Sequence, residues 1–392
     1  MSYKTIQLSK AADIIVGFPF ASEKFNINAQ GTRLVRGKNI TTGNLRWGDD
    51  TRWWDDSSID LSKYMLKADD IVIGMDGSLV GKNYAKISEN DLPLLLVQRV
   101  ACIRAKEGYD QRFLWGCIAS GNFERYIDSI KTGTSIPHIS GGQIGNYLIP
   151  DFDLQTQKKI AAILSALDEK IAINRAINDN LQQQAASIFV EWLNTCTDFS
   201  TIGDMAHNIL DYSPVGSEQI RLLNSSDVTE GVFPIAPLVP NKDLKGHFKK
   251  RFKFGDILYS EIRPRNHHYG FVLFDASDYI ASTRLMVIRA IENKVSPAML
   301  YQYLLLPEVE AEFTLKTESR SGTFPQGNYA DMASIRVPYS PTDSQVAISE
   351  TLTQIRYTIA QNQLESQRLA ELRDTLLPKL MSGEIDVSAV QL

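Results

Sequence analysis

The chain reads as one unit written twice. RLVRGKNITTG at 33–43 returns as RLLNSSDVTEG at 221–231, an offset of 188. DDIVI at 69–73 matches GDILY at 255–259, VACIRA at 100–105 matches LMVIRA at 285–290, and LIP at 148–150 matches RVP at 336–338. GTSIP at 133–137 has a looser counterpart in GTFP at 322–325. One such match is chance. An ordered series at near-constant offset is a duplication of about half the chain, with a period too long for a solenoid repeat. Two copies in one polypeptide predict internal pseudo-two-fold symmetry. The 392 residues allow two or three domains at roughly 150 residues each, and 43% apolar against 22% charged residues lets each bury a core.

Each copy has two parts. The first mixes short β-like runs such as IVIGM, LLLVQRVACIRA, DILYSEI and FVLFD with one helical stretch, at 113–130 and again at 297–313, where Pro307 is a candidate break. The second is a long helix without Gly or Pro from 154 to 193, with Asp153 or Thr156 as candidate caps. Its apolar positions step by four and three: Ile160, Leu164, Leu167, Ile171, then Asn174 and Asn178, then Leu181, Ala185, Ile188 and Trp192. That is a heptad seam. Adding 188 gives Ile348, Leu352, Ile355, Ile359, Asn362, Ser366, Leu369, Arg373, Leu376 and Leu380. One such helix, ~60 Å long at 1.5 Å per residue, would expose its stripe, so the two pack on each other or on a partner's helices. Asn174 and Asn362 fall at matching seam positions. They either set the register of the pairing or mark a partly exposed stretch.

Catalytic motifs fail on inspection. GMDGSLVGKN at 74–83 ends in GK, but Asp76 stands where a phosphate loop needs its first glycine and Asn83 where it needs Ser or Thr, so it reads as a turn. Asp278 with Glu292 and Lys294 has only a chance-level likeness to a nuclease site. No FxGxG or [ND]PP[YF] methyltransferase motif is present, and His267-His268 lacks the spacing of a metal site. Cys102, Cys117 and Cys196 are far apart and odd in number, which argues for a reducing compartment. Residues 1–10 lack the apolar stretch of a secretory signal and no run approaches a membrane span, so a cytoplasmic location without membrane contact is expected.

Net charge is 41 − 46 = −5, so global charge does not drive the chain onto nucleic acid. Locally, 33–52 carries net +3 and 245–268 net +5, counting Lys245 and Lys253 in the second. Lys and Arg neutralise phosphates, while Arg and Asn read base edges. The candidates for DNA contact are therefore Arg36, Lys38, Asn39, Arg46, Lys249, Lys250, Arg251, Arg263, Arg265, Asn266, His267 and His268. A solvated surface loop is the competing reading. Trp47, Trp53 and Trp54 fit core packing better than base stacking. Arg33 and Arg221, equivalent in the two copies, fit a structural role.

Together these residues resemble the specificity subunits of type I restriction–modification enzymes, over nearly the whole chain. The most specific stretches are GTSIPHI, the following LIP strand and QKKIAAILSALDEKI within 131–193, and LRDTLLPKLMSGEIDV at 372–387. The second copy departs from the first with Ile355-Arg356 in place of Leu167-Asp168 and GTFPQ in place of GTSIPH. The resemblance implies an α+β chain: target-recognition domains at 1–152 and 196–340, and conserved helices at 153–195 and 341–392 that form an antiparallel coiled coil separating them. It implies a non-catalytic subunit that reads a split double-stranded DNA site and scaffolds two methyltransferase subunits and restriction subunits. No cofactor is then expected on this chain; S-adenosylmethionine, ATP and Mg²⁺ belong to those partners. A standalone DNA-modifying enzyme and a scaffold that does not bind DNA are the alternatives.

Overall fold

The computed structural model describes residues 4–133, 137–242, 244, 246–318, 326–340 and 343–391. Most of the GTSIP and GTFP stretches, and Lys245, lie outside the described residues. Two compact units result: Met1–Glu169 with Ala370–Leu392, and Lys170–Leu369. Each long helix, Leu154–Leu193 and Asp343–Met381, contributes to both.

In the first unit a five-stranded sheet runs in the order Ala12–Val16, Val100–Ala105, Ile71–Gly74, Tyr84–Lys86, Thr42–Gly43, antiparallel except at its last pair. A three-stranded sheet sets Thr32–Val35 between antiparallel Trp53–Trp54 and parallel Leu94–Leu96. The stretch at 113–130 is two helices, Gln111–Ala119 and Gly121–Ile130, because the chain leaves helical angles at Ser120. Asp110 caps the first, accepting from the Arg112 and Phe113 amides. Its buried Phe113, Leu114 and Cys117 form one core with Ile160, Ala161 and Leu164 of the first long helix and Leu377, Leu380 and Met381 of the second. Gly116 permits this approach: a Cβ there would lie 2.7 Å from Met381 Cε and 3.2 Å from Leu164 Cδ1.

The second unit repeats the plan. Leu285–Ala290 and Ile257–Ser260 form the centre of an antiparallel sheet edged by Ala206–Asn208 and Tyr269–Phe271. Gln219–Leu223 pairs in parallel with Tyr279–Ser282, as its counterpart does with Leu94–Leu96. Pro307 does break the helical stretch, leaving Pro297–Leu304 and Pro307–Glu318. Ala185, Phe189 and Trp192 of the first long helix and Leu352 of the second complete this unit's core.

Both long helices form where the heptad pattern places them, and Asp153 caps the first by accepting from the Thr156 amide at 3.0 Å. They pair antiparallel. In the first unit Arg373 donates to Asp168 at 2.8 Å; in the second, Asn174 donates to Ser366 at 3.3 Å and Asn178 to the Ile359 carbonyl at 3.3 Å. Ile160, Leu164, Ile171, Leu352, Ile359 and Leu380 are buried in the seam, and Leu167, Leu181, Ile348, Ile355, Leu369 and Leu376 are half-buried. Ile188 is half-buried like those six, and neighbouring Phe189 is 1% exposed. A straight helix drifts by ~20° per heptad from a 3.5-residue repeat, and here the buried face turns onto the aromatic residues of the second unit's own core.

The seam asparagines form a polar layer. Asn362 donates to Asn178 Oδ1 at 2.9 Å, and Asn174 donates to Glu365 at 2.8 Å. Asn178→Leu alone strips Asn362 of its acceptor and is expected to cost ~1–3 kcal/mol. Adding Asn362→Leu restores part of that loss. A double-mutant cycle in denaturant checks this, and a coupling energy below ~0.5 kcal/mol would show the two side chains to be independent.

Candidate nucleic-acid interface

In each unit three segments meet at one surface. They are the short 3-10 turn after the strand that carries the shared arginine, a loop leaving the central sheet, and the chain just before the last short helix. In the first unit the turn Gly37–Asn39 lies beside Asp76, which is 3.4 Å from where a Gly37 Cβ would be, and Asp76 bridges to His138. In the second, the loop 261–268 meets residues 228–230, which directly follow the turn Ser225–Asp227, and bridges from Ile262 to Gln326. The basic residues sit on different segments of this surface: Arg36, Lys38 and Arg46 on the turn side in the first unit, Arg263, Arg265, His267 and His268 on the loop side in the second.

Not all the candidates are available to a ligand. Lys250 is 4% exposed; its ammonium donates to the Leu285 carbonyl at 2.7 Å and meets Glu261 at 3.4 Å. It is a structural lysine, because its strand turns the side chain inward onto the neighbouring sheet. Asn39 is 1% exposed and closes its own turn, accepting from the Arg36 amide and donating to the Arg46 carbonyl, both at 3.2 Å. Arg251 is half-buried, donates to the Ser277 carbonyl at 2.8 Å, and keeps its Nη1 buried without a partner. His268 is bonded to the Val228 carbonyl at 2.9 Å. Lys38, Arg46, Lys249, Arg263, Arg265 and Asn266 are exposed.

Acidic residues hold several of the remaining cations. Lys38 pairs with Asp50, and that hydrogen bond lowers the Asp50 carboxyl below its usual range. Arg36 is half-buried, donates to the Asp50 carbonyl at 3.3 Å, and has its pKa lowered by burial and by the neighbouring Arg52. Arg265 meets Glu318 at 3.1 Å. Arg263 and His267 hold the loop in left-handed backbone, at φ 47° and 54°.

His267 bridges Glu230 at 3.1 Å and Glu310 at 2.9 Å, tying the loop to two other segments. The Glu230 hydrogen bond and the Glu310 charge raise its pKa above the ordinary 6.5. A raised folded-state value means the bridge contributes fully below pH 6.5 and is lost as pH rises through the raised value. The protection factors of amides in 263–268, their exchange rates taken relative to the intrinsic base-catalysed rate at each pH, should therefore fall on alkalinisation across that window. In His267→Gln the dependence should vanish; if it persists, another group governs the loop.

Of the tryptophans and arginines set aside as structural, Trp53 is half-buried and the others are engaged within the fold. Trp54 is 4% exposed, and Trp47 donates to Asp91 at 3.0 Å beneath the Arg33 guanidinium, 4.2 Å from its ring centre. Arg221 pairs with Asp278 at 3.0 Å. The motif reading misses one duplicated feature. Arg104 forks onto Asp70 at 2.8 and 2.5 Å, and Arg289 onto Asp256 at 2.6 and 2.9 Å. Each carboxylate also accepts the amide three residues before it, Lys67 or Lys253. The signal is present in the sequence: DDIVI, GDILY and the two IRA triplets carry both partners at nearly the same offset, 256 − 70 = 186 and 289 − 104 = 185.

The profile of the family described as "Type I restriction modification DNA specificity domain" matches residues 19–183 and 235–373, more than half of the chain. The chain belongs to that family. It is 35% identical over 179 residues to the type I restriction enzyme HindI specificity subunit of Haemophilus influenzae, covering 45% of this chain and 39% of that one. It is 36% identical over 170 residues to the EcoAI specificity subunit of Escherichia coli, covering 42% and 28%. The chain thus spans well under two thirds of these two relatives' length. The MjaIX specificity subunit of Methanocaldococcus jannaschii matches at 23% identity over 78% of this chain and 75% of that one. The fold of this specificity-family chain is that of the type I restriction–modification S subunit from M. genitalium, with a TM-score of 0.62, 16% identity, and coverage of 97% and 96%. Among the described residues no helix is long and apolar enough to cross a membrane.

Proposed function

We propose that this chain is the DNA-reading subunit of a type I restriction–modification complex, each unit recognising one half of a split double-stranded site. The observation that carries the reading is the duplicated specificity region, with an equivalent three-segment surface in both copies. The different placement of Arg36, Lys38 and Arg46 against Arg263, Arg265 and Asn266 suits two different half-site sequences. The paired helices would scaffold two methyltransferase subunits, and restriction subunits beside them. Methyl transfer from S-adenosylmethionine and ATP-driven, Mg²⁺-dependent cleavage would then belong to those partners, and the chain works in the cytoplasm.

The test is binding and methylome sequencing with the chain assembled with its methyltransferase. Arg263→Ala with Arg265→Ala should cost ~1–3 kcal/mol and relax only the half-site read by the second unit. Lys249→Ala should weaken binding to all sequences alike and reduce the salt slope by about one ion. Loss of both half-sites at once, or an unchanged target, would refute the assignment. Methyl transfer by the purified chain alone would refute the division of labour.

A further inference from the structure

The second copy departs from the first at Arg356, which stands where the first has Asp168. In the first unit that aspartate is satisfied across the helix pair by Arg373 at 2.8 Å. The residue 188 before Arg373 is Ala185, so Arg356 has no such partner across its own helix pair. It is only 6% exposed, and its guanidinium lies 4.8 Å from the centre of the Tyr301 ring. One Nη donates to Gln302 Oε1, while Nε and Gln302 Nε2 are buried with no partner. Counted from the helix caps Asp110 and Ser296, Gln302 stands where the first unit has Gly116. Two substitutions at equivalent positions have thus placed an unpaired cation where the first copy has a paired carboxylate, and an amide where it has a closely packed glycine.

A buried guanidinium without a carboxylate is costly unless something pairs with it. Burial lowers its pKa, opposed only in part by the Tyr301 and Tyr269 hydroxyls. Arg356 lines a cavity of about 540 Å³ whose walls all belong to the second unit. That is the size of a small-molecule site. Phe233, Phe271, Phe274 and Tyr279 also line it. The other wall charges are mostly engaged. Arg221 holds Asp278 at 3.0 Å, Glu230 meets His267 at 3.1 Å, and Asp275 accepts the Ser277 amide at 2.9 Å, while Arg368 is exposed. Arg356 is the buried charge left without a counterion in this cavity.

We propose that this cavity is a binding site for a small organic anion, its carboxylate or phosphate on Arg356 and its apolar, aromatic body against Phe233 and Phe274. Arg356 then gains a charge-assisted pair in a low-dielectric setting, and the aromatic wall loses its contact with water. The first unit, with Asp168 and Gly116 at these positions, has no equivalent cation, so one ligand binds per chain.

The full chain is titrated with anilinonaphthalene sulfonate, a fluorescent aromatic anion, and then competed with phenylacetate, phenyl phosphate and neutral phenylethanol. One site per chain is expected, and the better competitor of the first two tells a carboxylate ligand from a phosphate one. Phenylethanol should compete at least about tenfold more weakly than either anion. Arg356→Gln should weaken dye binding by about tenfold or more. Ala360→Phe, which fills the cavity wall and keeps Arg356, should abolish it, and circular dichroism establishes that this variant is folded. Phenylethanol competing as well as the anions, dye binding unaltered in folded Ala360→Phe, or no binding of any probe at millimolar concentration would each overturn the proposal.

Discussion

Asp256→Ala lowers the stability of the second unit by ~3–5 kcal/mol, the cost of leaving a buried ion-pair partner uncompensated. Asp256 is 0% exposed and holds three donors: two from Arg289 and the Lys253 amide. Its removal orphans all three at the joint between the central strands Ile257–Ser260 and Leu285–Ala290. Asp256→Asn keeps an acceptor for one or two of them and should cost clearly less. Denaturant unfolding of the full chain measures both. Because Asp70 and Arg104 repeat the arrangement, Asp70→Ala should destabilise the first unit by a similar amount. A loss below ~1 kcal/mol for Asp256→Ala would mean that the pair contributes little beyond a surface ion pair.

Phe189→Ala is the second large effect, expected at ~3–5 kcal/mol for a fully buried phenylalanine. Its ring meets Tyr303 edge-on at 4.8 Å and lies 5.7 Å from Trp192, inside a core shared by the two long helices and the Pro297–Leu304 helix. The truncation leaves a cavity beside the Tyr303 and Trp192 rings and loosens the first long helix from the core of the second unit. Ile188→Ala, one residue away and half-buried, should cost less than half as much. The ratio of the two losses discriminates between the seam position read from the heptad and the one that the tertiary packing selects. Equal losses would mean that Ile188 packs as deeply as Phe189.

The duplication, the mixed α/β plan of each copy, the two long helices and the matched seam positions of Asn174 and Asn362 are legible in the sequence. Those features rest on near-neighbour spacing: i, i+3 and i, i+4 contacts set a helix seam, and repetition at one offset needs only comparison. The structural roles of Arg33 and Arg221 are legible for the same reason. The DNA-contact candidates are less so. Lys249 and Lys250 are adjacent and chemically alike, yet one is exposed and the other is 4% exposed beneath Glu261 and Leu285. Successive residues of a strand point to opposite faces, so which lysine faces inward depends on the register of Phe248–Lys250 against Tyr279–Ser282.

What the sequence alone determined about this protein is its two-copy architecture, its family and the two long heptad-patterned helices. Tertiary structure decided the rest: which basic side chains remain at the surface, that Phe189 is more deeply buried than Ile188, and that Arg356 is buried without a counterion. Those outcomes depend on groups 30 or more residues apart in the chain being brought within 5 Å, as with Arg289 and Asp256 or Arg356 and Tyr301. Net charge and local pattern carry no information about such distances, because burial of a charge is settled by what the fold places against it.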